Sequence, residues 1–406
     1  MLGERIRKIR KQKKLTLEAL AGDELTKGML SLIENNKAKP SMESLAYIAK
    51  RLQVEISDLL DEVSTIELRV ILEQAEKLFN SEDVNGSEKH QPLIALIEPY
   101  IEKLTQGYEA ARLLDIYARC LYREKITGWD HYFDRAAKMY DEMNLTAKRA
   151  SVGIFRALVK FIEHDYQASL TILLHERTEL EKNHAYIDPI TRLDLDYHEA
   201  VLHFAVGDSE SATRVMEGAI HFSKEHRIFY RIDDLYRLAA AQAEMVPDDT
   251  KKEHYIMKLK QYGEFADDLQ TKLFYQLFQV MALIGDKHDY YKALEIIDQF
   301  FENPKMEELF EDWFLIEKGK ALYGLGQYAD ALACFEKVEI PEYAHHPFDL
   351  SLFYVLDSYK ARCHFELGNR EESEKWAKTA VENFESLLPT PHKDFAMDTY
   401  KKITES

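Results

Sequence analysis

Leu15-Thr16-Leu17-Glu18-Ala19-Leu20-Ala21, then Ser31-Leu32-Ile33-Glu34 and Lys39-Pro40-Ser41, are the segments that decide the fold of the N-terminal part of this chain. Thr16, Thr26 and Ser41 each stand just before a helical pattern, where a hydroxyl side chain caps the free backbone N–H groups. Apolar residues such as Leu30 and Ile33 follow at helical spacing and predict one buried face. Together with a basic helix after Gly3, the pattern predicts five short helices within residues 1–61.

These segments resemble the Cro/repressor-type helix-turn-helix, and the resemblance covers residues 3–61. In that family the second helix of the motif enters the major groove of double-stranded DNA with its N-terminal residues. The resemblance implies contacts with DNA for Thr26, Lys27, Gly28, Met29, Ser31 and Asn35, and places Lys37 and Lys39 beside phosphates. The turn is one residue shorter than the usual spacing.

Charge is distributed unevenly along the chain, which has 406 residues and a net charge of −19. Residues 1–52 contain 12 Lys and Arg against 6 Asp and Glu, so they carry +6 and the other 354 residues carry −25. Phosphate backbones attract the first segment and repel the second. Any contact with nucleic acid is therefore expected at the N-terminal head alone.

The composition is that of a folded, soluble protein. Hydrophobic residues make up 46% of the chain and charged residues 31%, and no apolar run approaches the roughly 20 residues of a bilayer-spanning helix. The first residues show no secretory signal. Cys120, Cys334 and Cys363 are too widely spaced for a disulfide framework or a CxxC metal site, which fits a reducing cytoplasm.

Beyond a linker expected at residues 62–65, anchor residues recur every 38 to 43 positions, and all of them but Met281 are small. These anchor residues are Ala118, Ala157, Ala200, Ala241, Met281, Gly319 and Ala361. Apolar or small residues follow most anchors at +12 and +16, as Ala331 and Phe335 follow Gly319. The recurrence predicts helical hairpins of the tetratricopeptide class over residues 66–406, about eight of them with a C-terminal capping helix. The expected fold is all-α, with a right-handed superhelix after the head.

The first helix of each hairpin is expected to line a concave groove. Positions −6, −3, +1 and +4 from the anchors give the candidate peptide-binding residues Arg112, Asp115, Arg119, Tyr122, Asp194, Tyr197, Phe204, Gln242, Phe278, Lys320, Tyr323 and Arg362. Aromatic rings interleaved with charges suit an extended peptide. For any single aromatic, packing between repeats remains the alternative interpretation.

Motifs for catalysis and metal binding are not found. His198 and His203 are five residues apart, about 140° around a helix, so they do not share the face that a zinc pair requires. The sequence contains no phosphate-binding loop, nucleophile elbow or dinucleotide-binding turn. We expect no enzyme activity, no catalytic residues, no cofactor and no metal.

A helix-turn-helix head joined to a tetratricopeptide body resembles the RRNPP-type peptide-pheromone receptors of Gram-positive bacteria, and in size and layout the NprR branch of that group. The resemblance implies a cytoplasmic homodimer or higher oligomer that binds an operator in double-stranded DNA and a short signalling peptide in quorum sensing. Receptors of that group hold the peptide backbone with asparagines, whereas here only Gln242, Gln276 and Gln279 are available near the inner positions. Two alternatives stay open: a groove that docks a partner protein such as a response regulator, and a scaffold with a vestigial head. No membrane partner is expected.

Overall fold

The computed structural model describes residues 2–60, 65–81, 89–245, 249–302 and 307–405, and every element of secondary structure in these ranges is a helix. The predicted all-α class is confirmed. The helices are α1 Leu2–Gln12, α2 Leu17–Ala21, α3 Lys27–Glu34, α4 Met42–Leu52, α5 Ile56–Leu60, α6 Thr65–Phe79, α7 His90–Ile97, α8 Gly107–Arg123, α9 Trp129–Glu142, α10 Thr146–Ile162, α11 Tyr166–Asn183, α12 Pro189–Ala205, α13 Ser209–His226, α14 Ile232–Met245, α15 Asp249–Phe265, α16 Leu269–Gly285, α17 Tyr290–Phe301, α18 Glu307–Gly324, α19 Tyr328–Phe335, α20 Pro347–Glu366, α21 Arg370–Phe384 and α22 Pro391–Thr404, with a 3-10 helix at Glu98–Lys103. The expected linker at 62–65 lies outside the described residues except for Thr65, which begins α6.

The chain divides into two compact units, residues 1–152 and residues 153–406. The first unit contains α1–α9 and the start of α10, and the second contains the helices that follow. Within the described part of the chain, no helix combines the length and the apolar character needed to cross a bilayer.

The head, α1–α5, is built from the caps and the apolar face that the sequence indicates. The Thr16 hydroxyl accepts a hydrogen bond from the Ala19 N–H at 3.0 Å, and the Thr26 hydroxyl accepts one from Met29 at 3.1 Å. The core of the head consists of Ile6, Leu20, Ala21, Leu30, Ile33, Leu45, Ile48, Ala49, Leu52 and Leu59. These contacts hold α3 in place and leave its opposite face in solvent.

A buried ion pair joins α1 to α3. The Arg10 guanidinium donates to the Glu34 carboxylate at 2.6 Å and 2.9 Å, and it also donates to the Leu15 carbonyl at 2.8 Å. The hydrogen bond that Arg10 donates to Glu34 raises the pKa of Arg10, although burial opposes this shift. The pair fixes the orientation of α3 relative to α1, because neither charge is stable in the core without the other.

In the body, consecutive helices pack as pairs, for example α8 with α9, α12 with α13 and α20 with α21. The first helices of neighbouring pairs also pack on each other, as α12 does on α14, α16 on α18 and α18 on α20. This arrangement is that of stacked helical hairpins, in which each pair buries its apolar face against the next.

A left-handed backbone residue recurs seven positions after the anchors, at the turn between the two helices of a pair. The residues with positive φ there are Lys125, His164, Gly207, His288, Gly326 and Gly368. After three of these turns the next residue is an aspartate that caps the second helix: the Asp165 side chain accepts from the Ala168 N–H at 3.1 Å, Asp208 from the Ser211 N–H at 3.1 Å and Asp289 from the Lys292 N–H at 3.2 Å. One turn geometry is therefore repeated along the body.

Contacts between the anchors and positions +12 and +16 explain why small residues recur. The Ser169 hydroxyl donates to the Ala157 carbonyl at 2.7 Å, and the Ser373 hydroxyl donates to the Ala361 carbonyl at 2.9 Å. At Gly319 the Phe335 ring lies where a Cβ atom would be. Two helices that approach this closely leave no room for a larger side chain at the anchor.

Candidate DNA interface and candidate ligand cavity

The N-terminal turn of α3 is exposed while the rest of the helix is held by the core. Thr26, Lys27, Gly28 and Met29 are exposed, and Leu30 is fully buried. The Thr26 cap satisfies the Met29 N–H, so the turn is a rigid end of a helix and not a frayed one. Such an end is suited to entering a groove of DNA.

The other residues predicted to contact DNA follow along the same helix and the segment after it. Ser31 is half-buried, its carbonyl accepts from the Asn35 side-chain amide at 2.7 Å, and Asn35, Lys37 and Lys39 are exposed. Lys27 forms an exposed ion pair of 2.6 Å with Glu18 of α2. Their roles in binding DNA stay predictions.

A cavity of about 430 Å³ lies in the second unit, within residues 153–406. Its walls come from α10, α12, α14, α16, α18 and α20, the first helices of successive pairs, and from the segment before α20. The lining residues are mostly apolar or aromatic: Phe161, Tyr197, Val201, Phe204, Asp234, Arg237, Leu238, Ala241, Gln242, Met245, Gln270, Phe274, Leu277, Phe278, Met281, Phe310, Trp313, Tyr343, His346, Phe348, Asp349 and Leu352.

Four of the twelve predicted peptide-binding residues, Tyr197, Phe204, Gln242 and Phe278, line this cavity. All four come from positions −3, +1 and +4. In α14 the lining face also includes positions −7, −4 and 0 from the anchor, occupied by Asp234, Arg237 and Ala241. The predicted groove positions include −6 but not −7 or −4, so Asp234 and Arg237 are not among the predicted residues. Residues three and four positions apart lie on the same face of a helix, and extending the predicted positions by this spacing would have found both.

Arg112, Asp115, Arg119 and Tyr122 do not line the cavity, because they belong to the first unit. Arg112 pairs with Glu76 at 2.6 Å and with Asp115 at 2.7 Å. Arg119 pairs with the other oxygen of Asp115, also at 2.7 Å. Buried cations are stable only beside acids, and these already have them. The roles of these four residues in binding a peptide stay predictions.

Asp194, Lys320, Tyr323 and Arg362 belong to the second unit but are also absent from the lining of the cavity. The Lys320 ammonium is buried against the Glu317 carboxylate at 2.7 Å. Arg362 donates to the Thr399 hydroxyl at 2.7 Å and lies over a phenyl ring of α22. Lys320 therefore already has a carboxylate partner within the protein, and the roles of these four residues in binding a peptide stay predictions.

Among the glutamines, Gln242 and Gln270 line the cavity, whereas Gln276 and Gln279 do not. Gln242 comes from α14 and Gln270 from the first turn of α16. A side-chain amide donates and accepts hydrogen bonds, which a peptide backbone also requires. Gln270 was missed because it precedes the positions that the anchors define.

A ladder of alternating charges, formed by Asp194, Arg231, Asp234 and Arg237, reaches the cavity wall at Asp234 and Arg237. Arg231 donates to Asp194 at 2.9 Å and to Asp234 at 2.7 Å, and Arg237 donates to the other oxygen of Asp234 at 2.7 Å. The Arg237 guanidinium also lies over the Phe274 ring, 4.5 Å from its centre. The two acids and two bases of this ladder neutralise one another.

Asp349, in the first turn of α20, also lines the cavity. Burial raises the pKa of its carboxyl group to about 6, and the charge of Arg237 only partly opposes that shift. Among the described residues, none forms a hydrogen bond or an ion pair with this carboxylate. At pH 7 the carboxyl is mostly ionised, so the cavity contains one carboxylate beyond those that the ladder neutralises.

The segment of residues 336–346 between α19 and α20, here called the strap, closes one side of the cavity. Its Tyr343 hydroxyl accepts from the Trp313 indole at 3.0 Å, and its His345 carbonyl accepts from the Tyr166 hydroxyl at 2.7 Å. The His346 ring accepts from the Phe348 N–H at 3.1 Å and lies 3.3 Å from the Val201 carbonyl. Burial lowers the pKa of His346 to about 4, so it is neutral at pH 7.

Metal-binding clusters are not seen within residues that the structure describes: no three His, Cys, Asp or Glu side chains are placed to hold an ion. Cys120, Cys334 and Cys363 are free thiols, the first and last of them buried.

Residues 3–64 match the family described as helix-turn-helix domain, so the head is a helix-turn-helix domain. Among solved structures the chain is similar to Bacillus thuringiensis PlcR in complex with the peptide PapR7 and DNA, with 17% identity, a TM-score of 0.35, and coverage of 68% of this chain and 98% of that one. It is also similar to the Streptococcus dysgalactiae SHP pheromone receptor Rgg2, with 16% identity, a TM-score of 0.30, and coverage of 68% and 98%. The apo form of ComR from S. thermophilus is similar too, with 17% identity, a TM-score of 0.32, and coverage of 70% of this chain and 98% of that one. No curated protein matches the chain.

Proposed function

We propose that the chain is a transcription regulator whose helix-turn-helix head binds an operator in double-stranded DNA and whose body binds a short signalling peptide in the cavity. The observation that carries the proposal is the combination of an exposed, capped α3 in the head with a mostly apolar cavity in the body. This is the function implied by the resemblance to RRNPP-type receptors.

Charge and exposure support DNA binding by the head. Its excess of +6 within residues 1–52 contrasts with the acidic remainder of the chain. Lys27, Lys37 and Lys39 are exposed on or just after α3, where cations reach the phosphates that flank a groove.

The size and chemistry of the cavity support a small ligand. Its volume of about 430 Å³ falls within the range of roughly 300–1,000 Å³ typical of ligand sites. Aromatic walls receive apolar side chains, and Gln242 and Gln270 provide amides for a peptide backbone. A folded domain cannot enter a space of this size, so the cavity favours a peptide over a response regulator as its occupant.

We further propose that the protein acts as a homodimer in the cytoplasm. One helix-turn-helix domain contacts too few base pairs for a specific site, and two domains related by a two-fold axis read two half-sites.

Synthetic peptides encoded by short reading frames beside the gene test this function. A peptide that binds the native state raises its melting temperature, by an amount that grows with concentration. We expect one such peptide to raise the melting temperature and to change the affinity for operator DNA. If no peptide alters either quantity, the body does not act as a peptide sensor.

A further inference from the structure

We propose that the cavity selects ligands with a primary ammonium group, which the Asp349 carboxylate receives. This inference rests on the proposed function and names the chemistry of the ligand. A primary ammonium occurs in a peptide at its N-terminus or on a lysine side chain.

The charges facing the cavity leave Asp349 without compensation. Asp234 and Arg237 already satisfy each other at 2.7 Å. Arg237 also lies over the Phe274 ring. Among the described residues it forms no ion pair with Asp349, and its charge lowers the pKa of Asp349 only partly. An ionised carboxylate in an apolar cavity is costly unless a cation reaches it.

The surroundings of Asp349 suit an ammonium group. Tyr343, whose hydroxyl oxygen can accept a hydrogen bond, lines the same cavity as Asp349. Phe348 and Trp313 supply aromatic surface to the same cavity. An ammonium donates up to three hydrogen bonds to oxygens and is attracted to the faces of aromatic rings.

The remaining walls determine what the ammonium is attached to. Leu277, Phe278, Met281 and Leu352 are apolar and lie on α16 and α20. They offer no partner for a second charge, so the ligand carries apolar side chains beyond its ammonium group.

Small peptide probes separate the two sources of an ammonium. Phe-Leu-Phe-amide carries only the N-terminal ammonium, acetyl-Phe-Leu-Phe-amide carries none, and acetyl-Phe-Leu-Lys-amide carries only the lysine ammonium. Binding to the full-length protein is measured at pH 7.5 by calorimetry and by the shift in melting temperature.

We expect at least one ammonium probe to bind about tenfold or more tightly than the neutral probe, as for a charge-assisted hydrogen bond. Asp349→Asn keeps the shape of the side chain and removes its charge, so the preference should disappear. Asp357→Asn is the matched control, because Asp357 lies on the same helix, binds the Asn383 amide at 2.9 Å, and is not among the lining residues. That variant should keep the full preference.

Three results would overturn the inference, and they can be told apart. If all three probes bind equally, the cavity binds peptides but does not select an ammonium, and the proposed function stands. If Asp349→Asn retains the preference, another group receives the ammonium. If no probe binds to the wild-type protein or to either variant, the ammonium site is excluded and the peptide-binding part of the proposed function also loses its support.

Discussion

Single residues show how this chain handles buried charge. Arg10 in the head and Lys320 in the body each lie against a carboxylate, at 2.6 Å and 2.7 Å. Asp349 has no such partner among the described residues, and burial of its carboxyl group without one raises the pKa of that group. Paired charges fix neighbouring helices, whereas an ionised group without a partner facing a cavity is available to a ligand.

Two positions of α3, three residues apart, are expected to have different roles: Lys27 in binding DNA and Leu30 in the core of the head. Lys27→Ala removes an exposed cation whose ion pair with Glu18 contributes at most about 1 kcal/mol to stability. We expect weaker DNA binding, a salt slope reduced by about 1, and an unchanged melting temperature. Leu30→Ala empties a fully buried position and should lower the free energy of unfolding by about 2–5 kcal/mol. Anisotropy and chemical denaturation measure the two effects, and a destabilised Lys27→Ala protein would contradict this division of roles.

Asp349 also gives the free protein a stability that depends on pH. Its pKa of about 6 in the folded protein lies above the usual value of 3.8, so the folded state binds the proton more tightly than the unfolded state does. The folded state therefore loses stability as pH rises from about 4 through 6. Asp349→Asn has no such loss and should melt at a higher temperature than wild type at pH 7.5, with the difference shrinking at pH 5.

The groups around Asp349 do not mask this effect. Arg237 stays charged and Tyr166 and Tyr343 stay neutral over the whole interval, since burial raises the pKa values of both tyrosines. His346 titrates only near pH 4, in wild type and variant alike. A difference in melting temperature that is the same at both pH values would show that the Asp349 carboxyl is not raised.

At the scale of helices, sequence patterns predicted packing better than they predicted the cavity. Caps such as Thr26 and the close approach of Gly319 to Phe335 depend on residues near in sequence, so spacing alone reveals them. The cavity brings α10 together with α20, and the strap ties Tyr166 to His345, 179 residues further along the chain. No local period predicts such a contact, and for this reason the cavity wall that contains Asp349 was not predicted.

Alanine substitutions at two glycines, one in the repeated turn and one inside a helix, should change the stability of the protein in opposite directions. A Cβ atom would meet nothing within 4 Å at either Gly326 or Gly218, so packing does not distinguish them. Gly326 has φ of +75°, which costs an alanine about 1–2 kcal/mol, whereas Gly218 lies inside α13, where alanine is favoured by up to about 1 kcal/mol. Gly326→Ala should therefore lower, and Gly218→Ala raise, the midpoint of urea unfolding. The same sign for both would contradict the assignment of the turn.

For the whole molecule, the opposite charges of head and body direct DNA to one end of the sequence. Two heads are needed for a specific site, so we expect a homodimer. Light scattering at micromolar concentration, with and without operator DNA, should give twice the chain mass of 47.4 kDa. A monomer under both conditions would show that the protein does not read paired half-sites.

The central claim is that α3 and the segment after it form the DNA-binding surface, and charge reversal in the full-length protein tests it most directly. A duplex is first selected from a random pool, and its affinity is then measured by anisotropy over a range of salt. Lys27→Glu, Lys37→Glu and Lys39→Glu together should abolish specific binding, because each places a negative charge beside a phosphate. A control with Lys375→Glu, Lys378→Glu and Lys401→Glu, three exposed lysines of the body, should retain the affinity and salt slope of wild type. Equal affinity in the head variant and in wild type would contradict the claim.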